Sequence, residues 1–340
     1  MDKFNQKEDY QATPFLFSTR FWLAILSFLG MLNIYASRVN LSMSMVCMVN
    51  NTAIEAIITE RKLASGMNHT EVAASAAGEC ETDPVASADA EKMLNKVQKD
   101  GEFVWLKERQ GLILSSFFWG YLLTQIPGGL ASQYFGAKRV LGVTIFVGSL
   151  LSLITPAISR VHYILLMFLR VLLGICQGVS FPSVLALWSR WAPPLERSML
   201  TGITFAGTQV GNVVTLPLSG LLCDYGFAGG WPSIFYVLGL CSLLWCVIWM
   251  TCTTDSPAEH KRISAAEKSY IQGSLSHQVS RTHGAKDVRV PWGKVLTSMP
   301  VWAAVIGHAA GDWGAYVMLT CLPSFMSEVL GFQMTTVSKI

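Results

Sequence analysis

With 340 residues, of which 51% are hydrophobic and only 14% charged, the chain is too apolar for a water-soluble domain, where about a quarter of residues carry charge. A mean hydropathy of +0.41 points the same way, to lipid as the solvent. The formal net charge of +3 excludes little, and the placement of the charges decides the reading.

A polar tail over 1–20 precedes the first of seven apolar segments, at 21–47, 111–132, 138–158, 161–187, 200–223, 232–252 and 301–326. Each approaches or exceeds the roughly 20 residues that a membrane-crossing helix needs, so the predicted fold is an all-α integral membrane protein. The first segment is too long for a removable signal peptide and lacks a small-residue cleavage site. Lys3, Lys7 and Arg20 precede span 1, Lys138 and Arg139 lie between spans 2 and 3, and Arg190 and Arg197 lie between spans 4 and 5. Seven more basic residues, from Lys261 to Lys294, lie between spans 6 and 7, whereas the short opposite connections hold only Arg160, between spans 3 and 4, and none between spans 5 and 6. Positive charge accumulates on the cytosolic side, which predicts a cytosolic N-terminus.

The loop over 50–109 then faces a lumen or the exterior, and its Ala-, Ser- and Glu-rich composition predicts disorder apart from a short helix before span 2. It holds two glycosylation sequons, at Asn50 and Asn68; a third, at Asn40, lies inside span 1 and is read as unused. Spans 1 to 6, over 21–252, form one bundle. A polar cytosolic linker over 253–298, with a helical stretch at "SAAEKSYIQGSLSHQ", separates it from a second bundle that begins at 299–340. Seven of the eight cysteines lie in or beside apolar spans, so no internal disulfide framework is expected.

Spans 1 to 6 contain no acidic residue in their interiors, yet they contain Arg38 and Arg170. A charge at membrane depth costs about 2.5–3.5 kcal/mol on insertion scales and usually faces a cavity or the bundle interior. Arg170 lies about ten residues into its span, roughly 15 Å and close to the midplane. Two guanidiniums without a carboxylate in their own bundle make a positive pocket, and their planar forks suit the oxygens of a small anion. The plainer reading of Arg38 is that it snorkels to the surface. Span 7 adds His308 and Asp312, spaced i, i+4 on one face, which read either as a proton-coupling pair or as a fixed ion pair.

Three glycine pairs, 174/178, 207/211 and 307/311, permit close helix approach, and Pro127, Pro182 and Pro217 bend their spans. Tyr121, Gln177 and Gln209 are candidate cavity residues beside the arginines; their plainer roles are packing and interhelical hydrogen bonding. No metal-ligand spacing, P-loop, G-x-S-x-G elbow or basic–aromatic nucleic-acid surface is present, so neither an enzyme nor a nucleic-acid binder is indicated. No cofactor is implied beyond a coupling ion, H+ or Na+.

The loop "GGLASQYFGAKRVLG" (128–142) resembles the loop motif of the major facilitator superfamily. "SRWAPPLERS" (189–198), together with "YASRVNLS", "SSFFWGYLLTQIPGG", "GVSFPS" and "VPWGKVLTSMPVWA", is similar to its organic-anion branch, which includes sialin, the vesicular glutamate transporters and sodium–phosphate cotransporters. The resemblance implies two six-helix bundles that rock about a central site, with spans 1, 4 and 7 lining the cavity. It implies substrate binding by Arg38 and Arg170, and a cytosolic gate built from Gly129, Gly136, Lys138, Arg139, Glu196 and Arg197. It also implies a lysosomal or vesicular membrane, or the plasma membrane, as the address.

Several positions depart from the branch pattern. Gln133 and Tyr134 replace an acidic and a basic residue of the facilitator loop, and Leu173 and Gln177 stand where the sialin-like pattern has glutamates. Gly311 and Leu114 stand where the glutamate transporters have arginine and histidine, which argues against vesicular glutamate loading. His308 matches the sialin-like pattern, and Asp312 replaces its asparagine. The reading favoured by these residues is a proton-coupled symporter of acidic sugars or acidic amino acids, with a sodium-dependent phosphate cotransporter second. A seven-helix receptor is disfavoured because its N-terminus would lie outside. The family pattern continues through five more helices, so the chain is expected to be the front of a longer protein or a truncated product unable to transport alone.

Overall fold

In a computed structural model, residues 14–15, 17–64, 101–282 and 292–328 are described; Asn68 and most of the 50–109 loop lie outside these. Seven long helices coincide with the apolar segments, and no strand occurs among the described residues. Helix α1 (Thr19–Met48) is capped by Ser18, whose Oγ accepts from the Phe21 amide at 3.2 Å. The short helix expected before span 2 falls outside the described residues, and helix α2 (Asn51–Ala64) follows span 1 at once. Asn50 causes this: its side-chain oxygen accepts from the Ala53 amide at 2.8 Å and starts a helix. The returning chain is pinned there by two backbone bonds, Phe103 N–H to Met48 O at 2.9 Å and Asn50 N–H to Phe103 O at 2.8 Å.

Helix α3 (Lys107–Phe135) and α4 (Ala137–Val161) meet at Gly136, whose φ of +91° suits glycine. Helices α5 (Tyr163–Gly178) and α6 (Ser180–Trp191) are the two halves of span 4, interrupted at Val179. Pro182 accounts for the break, because it has no N–H to offer the carbonyl of Gly178 and its ring crowds that carbonyl. Helices α7 (Arg197–Tyr225) and α8 (Trp231–Cys252) complete the bundle. The linker contributes α9 (Ala265–Thr282) and the short α10 (Trp292–Leu296), and α11 (Met299–Glu328) ends the described chain.

Four spans, at 19–48, 137–161, 163–191 and 231–252, are long and apolar enough by length and composition to cross a membrane. The other three long helices, α3, α7 and α11, have 29, 29 and 30 residues; α3 and α7 carry more Gly, Ser, Thr and amide side chains, and α11 carries His308 and Asp312. Those small residues explain the packing. A Cβ on Gly174 would strike the Phe117 carbonyl and one on Gly120 the Val171 carbonyl, so α3 and α5 touch backbone to backbone. Gly207 and Gly211 bring α7 equally close to the carbonyls of Phe28 and Leu32 on α1. Gly307 and Gly311 meet nothing within 4 Å among the described residues.

The end of the bundle that carries Ser18 has a tryptophan-rich core whose ring N–H groups are all satisfied. Trp188 donates to Thr204 Oγ1 at 3.0 Å, Trp191 to Thr254 O at 3.0 Å, Trp245 to Leu26 O at 2.9 Å and Trp249 to Lys138 O at 3.1 Å. At the far end Cys47 of α1 and Cys223 of α7 form a disulfide, contrary to the expectation of none. Cysteines in apolar helices read as packing groups in sequence; only the pairing of α1 with α7 brings these two together.

Candidate functional site

Arg38 and Arg170 are both enclosed, at 5% and 3% exposure, so neither snorkels out of the bundle. They meet where α1, α3 and α5 converge, and Arg170 Nη2 points to the backbone oxygen of Arg38 at 3.5 Å. Arg38 Nε donates to Gln177 Oε1 at 3.4 Å, and Nη1 donates to the Tyr316 hydroxyl of α11 at 2.8 Å. Its guanidinium carbon lies 4.5 Å from the ring centre of Tyr35, 4.7 Å from Tyr121 and 5.2 Å from Phe117. Arg170 lies 5.2 Å from the same Phe117 ring. Such cation–π contacts contribute about 0.5–2 kcal/mol each and lessen the cost of enclosing the charge.

The rings do not supply what a carboxylate would. Among the described residues no carboxylate lies within ion-pair distance of either guanidinium. Arg38 Nη2 and Arg170 Nε have no hydrogen-bond partner there. A narrow crevice lined by Arg38, Ser42, Leu114, Phe118, Arg170 and Tyr316, with room for no more than a water molecule in this conformation, lies beside them. Two donors with fixed geometry thus face an enclosed space with net positive charge.

The site gathers Arg38, Arg170, Tyr121 and Gln177 from the sequence-derived candidates and leaves out Gln209, which is exposed. The reason is angular: Gly207 turns toward α1, and two residues on, at about 100° per residue, Gln209 lies on nearly the opposite face. His308 and Asp312 are likewise exposed and do not enter the arginine cavity. They do share a stripe with Tyr316, at successive i, i+4 positions of α11. Tyr35, Phe117 and Tyr316 went unrecognised in the sequence. Aromatics in apolar helices carry no signal that separates a cage from packing.

The residues assigned to a gate occupy the Ser18 end. Glu196 pairs with the fully buried Arg20 at 3.1 Å and accepts from the Tyr270 hydroxyl at 3.5 Å. Burial, and then the Glu196 charge, push the Tyr270 hydroxyl above its usual pKa. Glu267 of α9 accepts the amides of Thr19 and Arg20 at 3.1 Å each, closing the first turn of α1. Asp255 plays the same part for α4: it accepts from the Lys138 amide at 2.8 Å and lies against Gly136. The role of Lys138 here is carried by its backbone. Arg139 is exposed, a Cβ on Gly129 would meet only Pro182 at ordinary contact distance, and Arg197 stands half-buried in the first turn of α7. Glu267 and Asp255 come from a linker that reads as solvated in sequence, yet each serves as a remote helix cap.

At the far end Arg160 donates twice to Glu102, at 3.0 Å each, and lies over Trp231 at 5.3 Å. The Arg160 hydrogen bonds hold the Glu102 carboxyl below the usual carboxylate range. No cluster that could hold a metal ion occurs among the described residues.

A family model, the Major Facilitator Superfamily, matches residues 94–339. An uncharacterised transporter, slc-17.2, of Caenorhabditis elegans is 43% identical over 325 residues, covering 95% of this chain and 61% of its own length. Human sialin is 41% identical, over 95% of this chain and 59% of its own length. Vesicular glutamate transporter 3 of Danio rerio is 36% identical, over 94% and 47%. The chain therefore spans about three fifths or less of these relatives. A crystal structure of a bacterial homologue of the human lysosomal transporter Spinster, inward-facing and unoccupied, superposes with a TM-score of 0.58 at 14% identity. That match covers 94% of this chain and 58% of the other.

Proposed function

The chain belongs to the major facilitator superfamily, and from that premise we propose that it moves small organic anions across a membrane, with Arg38 and Arg170 as the anion-binding centre. One observation carries the proposal: two buried guanidiniums share a cavity without a carboxylate, and each keeps an unpaired N–H donor there. An anion carboxylate entering that cavity neutralises charge and accepts those hydrogens, which offsets part of the cost of burying the guanidiniums. Arg38 sits on α1 and Arg170 on α5, and Tyr316 comes from α11, so the site lies between helices that alternating access would move apart. Similarity to sialin and to vesicular glutamate transporters supports an acidic sugar or acidic amino acid as substrate and a vesicular membrane as the address.

The basic end bearing Ser18 is assigned to the cytosol, with the Arg20–Glu196–Tyr270 cluster as part of its gate. Proton coupling is assigned to His308 and Asp312, because their stripe on α11 continues into Tyr316 and so reaches Arg38.

The test is uptake of radiolabelled sialic acid and of glutamate into vesicles bearing the protein. Arg170→Glu should abolish uptake of either while the protein remains folded in the membrane, and undiminished uptake would sink the assignment. Asp312→Asn should remove the dependence on an imposed pH gradient if Asp312 carries the proton.

A further inference from the structure

The connection from α8 to α9 ends in "HKRIS" (260–264), and its last residue stands where the linker meets the start of α1. Ser264 is exposed and immediately precedes α9. Its Oγ accepts from the Glu267 amide at 3.1 Å and its carbonyl from the Lys268 amide at 2.9 Å, so it is the N-cap of that helix. Lys261 and Arg262 are exposed as well, whereas Ile263 packs against the tryptophan-rich core. Arg262 and Ser264 are therefore presented to solvent, with the isoleucine between them as an inward anchor. We propose that Ser264 is a phosphorylation site for a basophilic serine/threonine kinase, and that the phosphate loosens the hold of α9 on the start of α1.

Kinases of this class select serines by charge: acids in their substrate groove pair with Lys or Arg two and three positions before the acceptor. Ser264 has both, in Arg262 and Lys261, and no other serine of 253–298 has this pair. Ser269 follows Ala266 and Glu267 at those positions and donates to the Ala266 carbonyl at 2.9 Å. Ser274 is half-buried and donates to Tyr270 O at 2.6 Å. From Thr253 to Ser264 the chain forms turns and bends but no helix, so only the first turn of α9 has to fray for a kinase to engage the serine. The step transfers the γ-phosphoryl group of ATP: the Oγ–P bond forms as the bond to the ADP oxygen breaks, and the hydroxyl proton passes to the kinase's base.

Glu267 gives the site its effect. It lies three residues on, where cap and side chain share the start of the helix, and it closes the first turn of α1 through the amides of Thr19 and Arg20. A phosphate brings a charge of about −2 at pH 7 to that place. It suits the free amides that open α9 but opposes the enclosed Glu267 carboxylate. Tyr270 and Ile271, buried one turn further along, keep α9 docked, so the change stays local to the start of α1. Access by a cytosolic kinase rests on the orientation proposed above.

The purified protein in lipid nanodiscs, incubated with ATP and the catalytic subunit of a cyclic-AMP-dependent kinase, provides the test. Peptide mass spectrometry should find phosphate on Ser264, and Arg262→Ala should lower the rate at limiting protein by about tenfold, the loss of one charge-assisted contact. Ser264→Asn keeps a good N-cap and accepts no phosphate. After kinase treatment the Thr19 and Arg20 amides should exchange hydrogen faster in the parent and not in the Asn variant. No incorporation at Ser264, or equal rates for the parent and Arg262→Ala, would overturn the site. Incorporation with unchanged exchange at the two amides would overturn the loosening. Nanodiscs expose both faces, so sealed organelle vesicles, cytosolic face outward, isolate the orientation. Labelling there supports the proposal; labelling in nanodiscs alone would overturn the cytosolic placement and with it the kinase's access.

Discussion

Replacing Glu267 should loosen the start of α1, although the residue lies about 250 positions away in a linker. Its carboxylate is 4% exposed and accepts from Thr19 N–H and Arg20 N–H at 3.1 Å each. These amides belong to the first helical turn, which has no intrahelical acceptors, and Ser18 already serves Phe21. Loss of an N-cap costs about 0.5–2 kcal/mol, and hydrogen bonds to a charged group contribute about 1.5–3 kcal/mol each. Both bonds share one carboxylate, so Glu267→Ala should cost about 2–4 kcal/mol in total, and Glu267→Gln, which keeps a carbonyl acceptor, roughly half. The Ala variant should unfold earlier in a detergent titration, and the Thr19 and Arg20 amides should exchange hydrogen faster. Unchanged exchange at those two amides, with an unfolding midpoint within error of the parent, would refute the reasoning.

Gly174→Ala should cost about 1–3 kcal/mol, because the new methyl meets the Phe117 carbonyl, which cannot yield. Gly307→Ala, with nothing within 4 Å among the described residues, should instead be neutral or stabilise by up to about 1 kcal/mol through helix propensity; the two unfolding curves side by side decide. Tyr316→Phe removes the 2.8 Å bond to Arg38 and should weaken the hold of α11 on α1 by about 1.5–3 kcal/mol. Faster amide exchange across 310–320 would register the loss; unchanged exchange would mean that the ring contact with Phe118 suffices. The Glu102–Arg160 pair contributes stability above the unfolded carboxylate pKa of about 4.3 and loses it as pH falls through the lower folded value. Melting curves of the parent and Glu102→Gln should therefore differ at mildly acidic and neutral pH and converge in stronger acid. A difference that grew on acidification would contradict that sign.

Arg38 and Arg170 were legible because a guanidinium in an apolar run has few innocent explanations. The pairs Gly174/Gly178 and Gly207/Gly211 were legible because close backbone contact in lipid requires small side chains. Gln209 illustrates the limit: its chemistry suited the site, but its register on α7 turned it away, and register against a neighbouring helix is a tertiary property. Tyr316 lies 278 residues from Arg38 in sequence, so no local pattern ties them. Glu267 and Asp255 were hidden by their surroundings, since an acid in a polar linker looks solvated until a helix end is found beside it. The break at Val179 followed from Pro182, although its partner, the glycine-lined face against α3, fixes where the bend goes.

The Cys47–Cys223 disulfide turns 176 positions of sequence separation into a covalent ring threaded back and forth through the bundle. The ring cannot close until α7 has been synthesised and its far end delivered to an oxidising compartment. During biogenesis α1 must therefore wait for its partner while the intervening helices α2 to α6 are laid down. The bond is a record of completed insertion. It is also a strap: a protease cut anywhere in 65–100 would sever the chain yet leave its two parts joined until a reductant is added. Where that cut and that reductant must be applied, inside or outside sealed vesicles, would identify which face of the membrane each end of the bundle occupies.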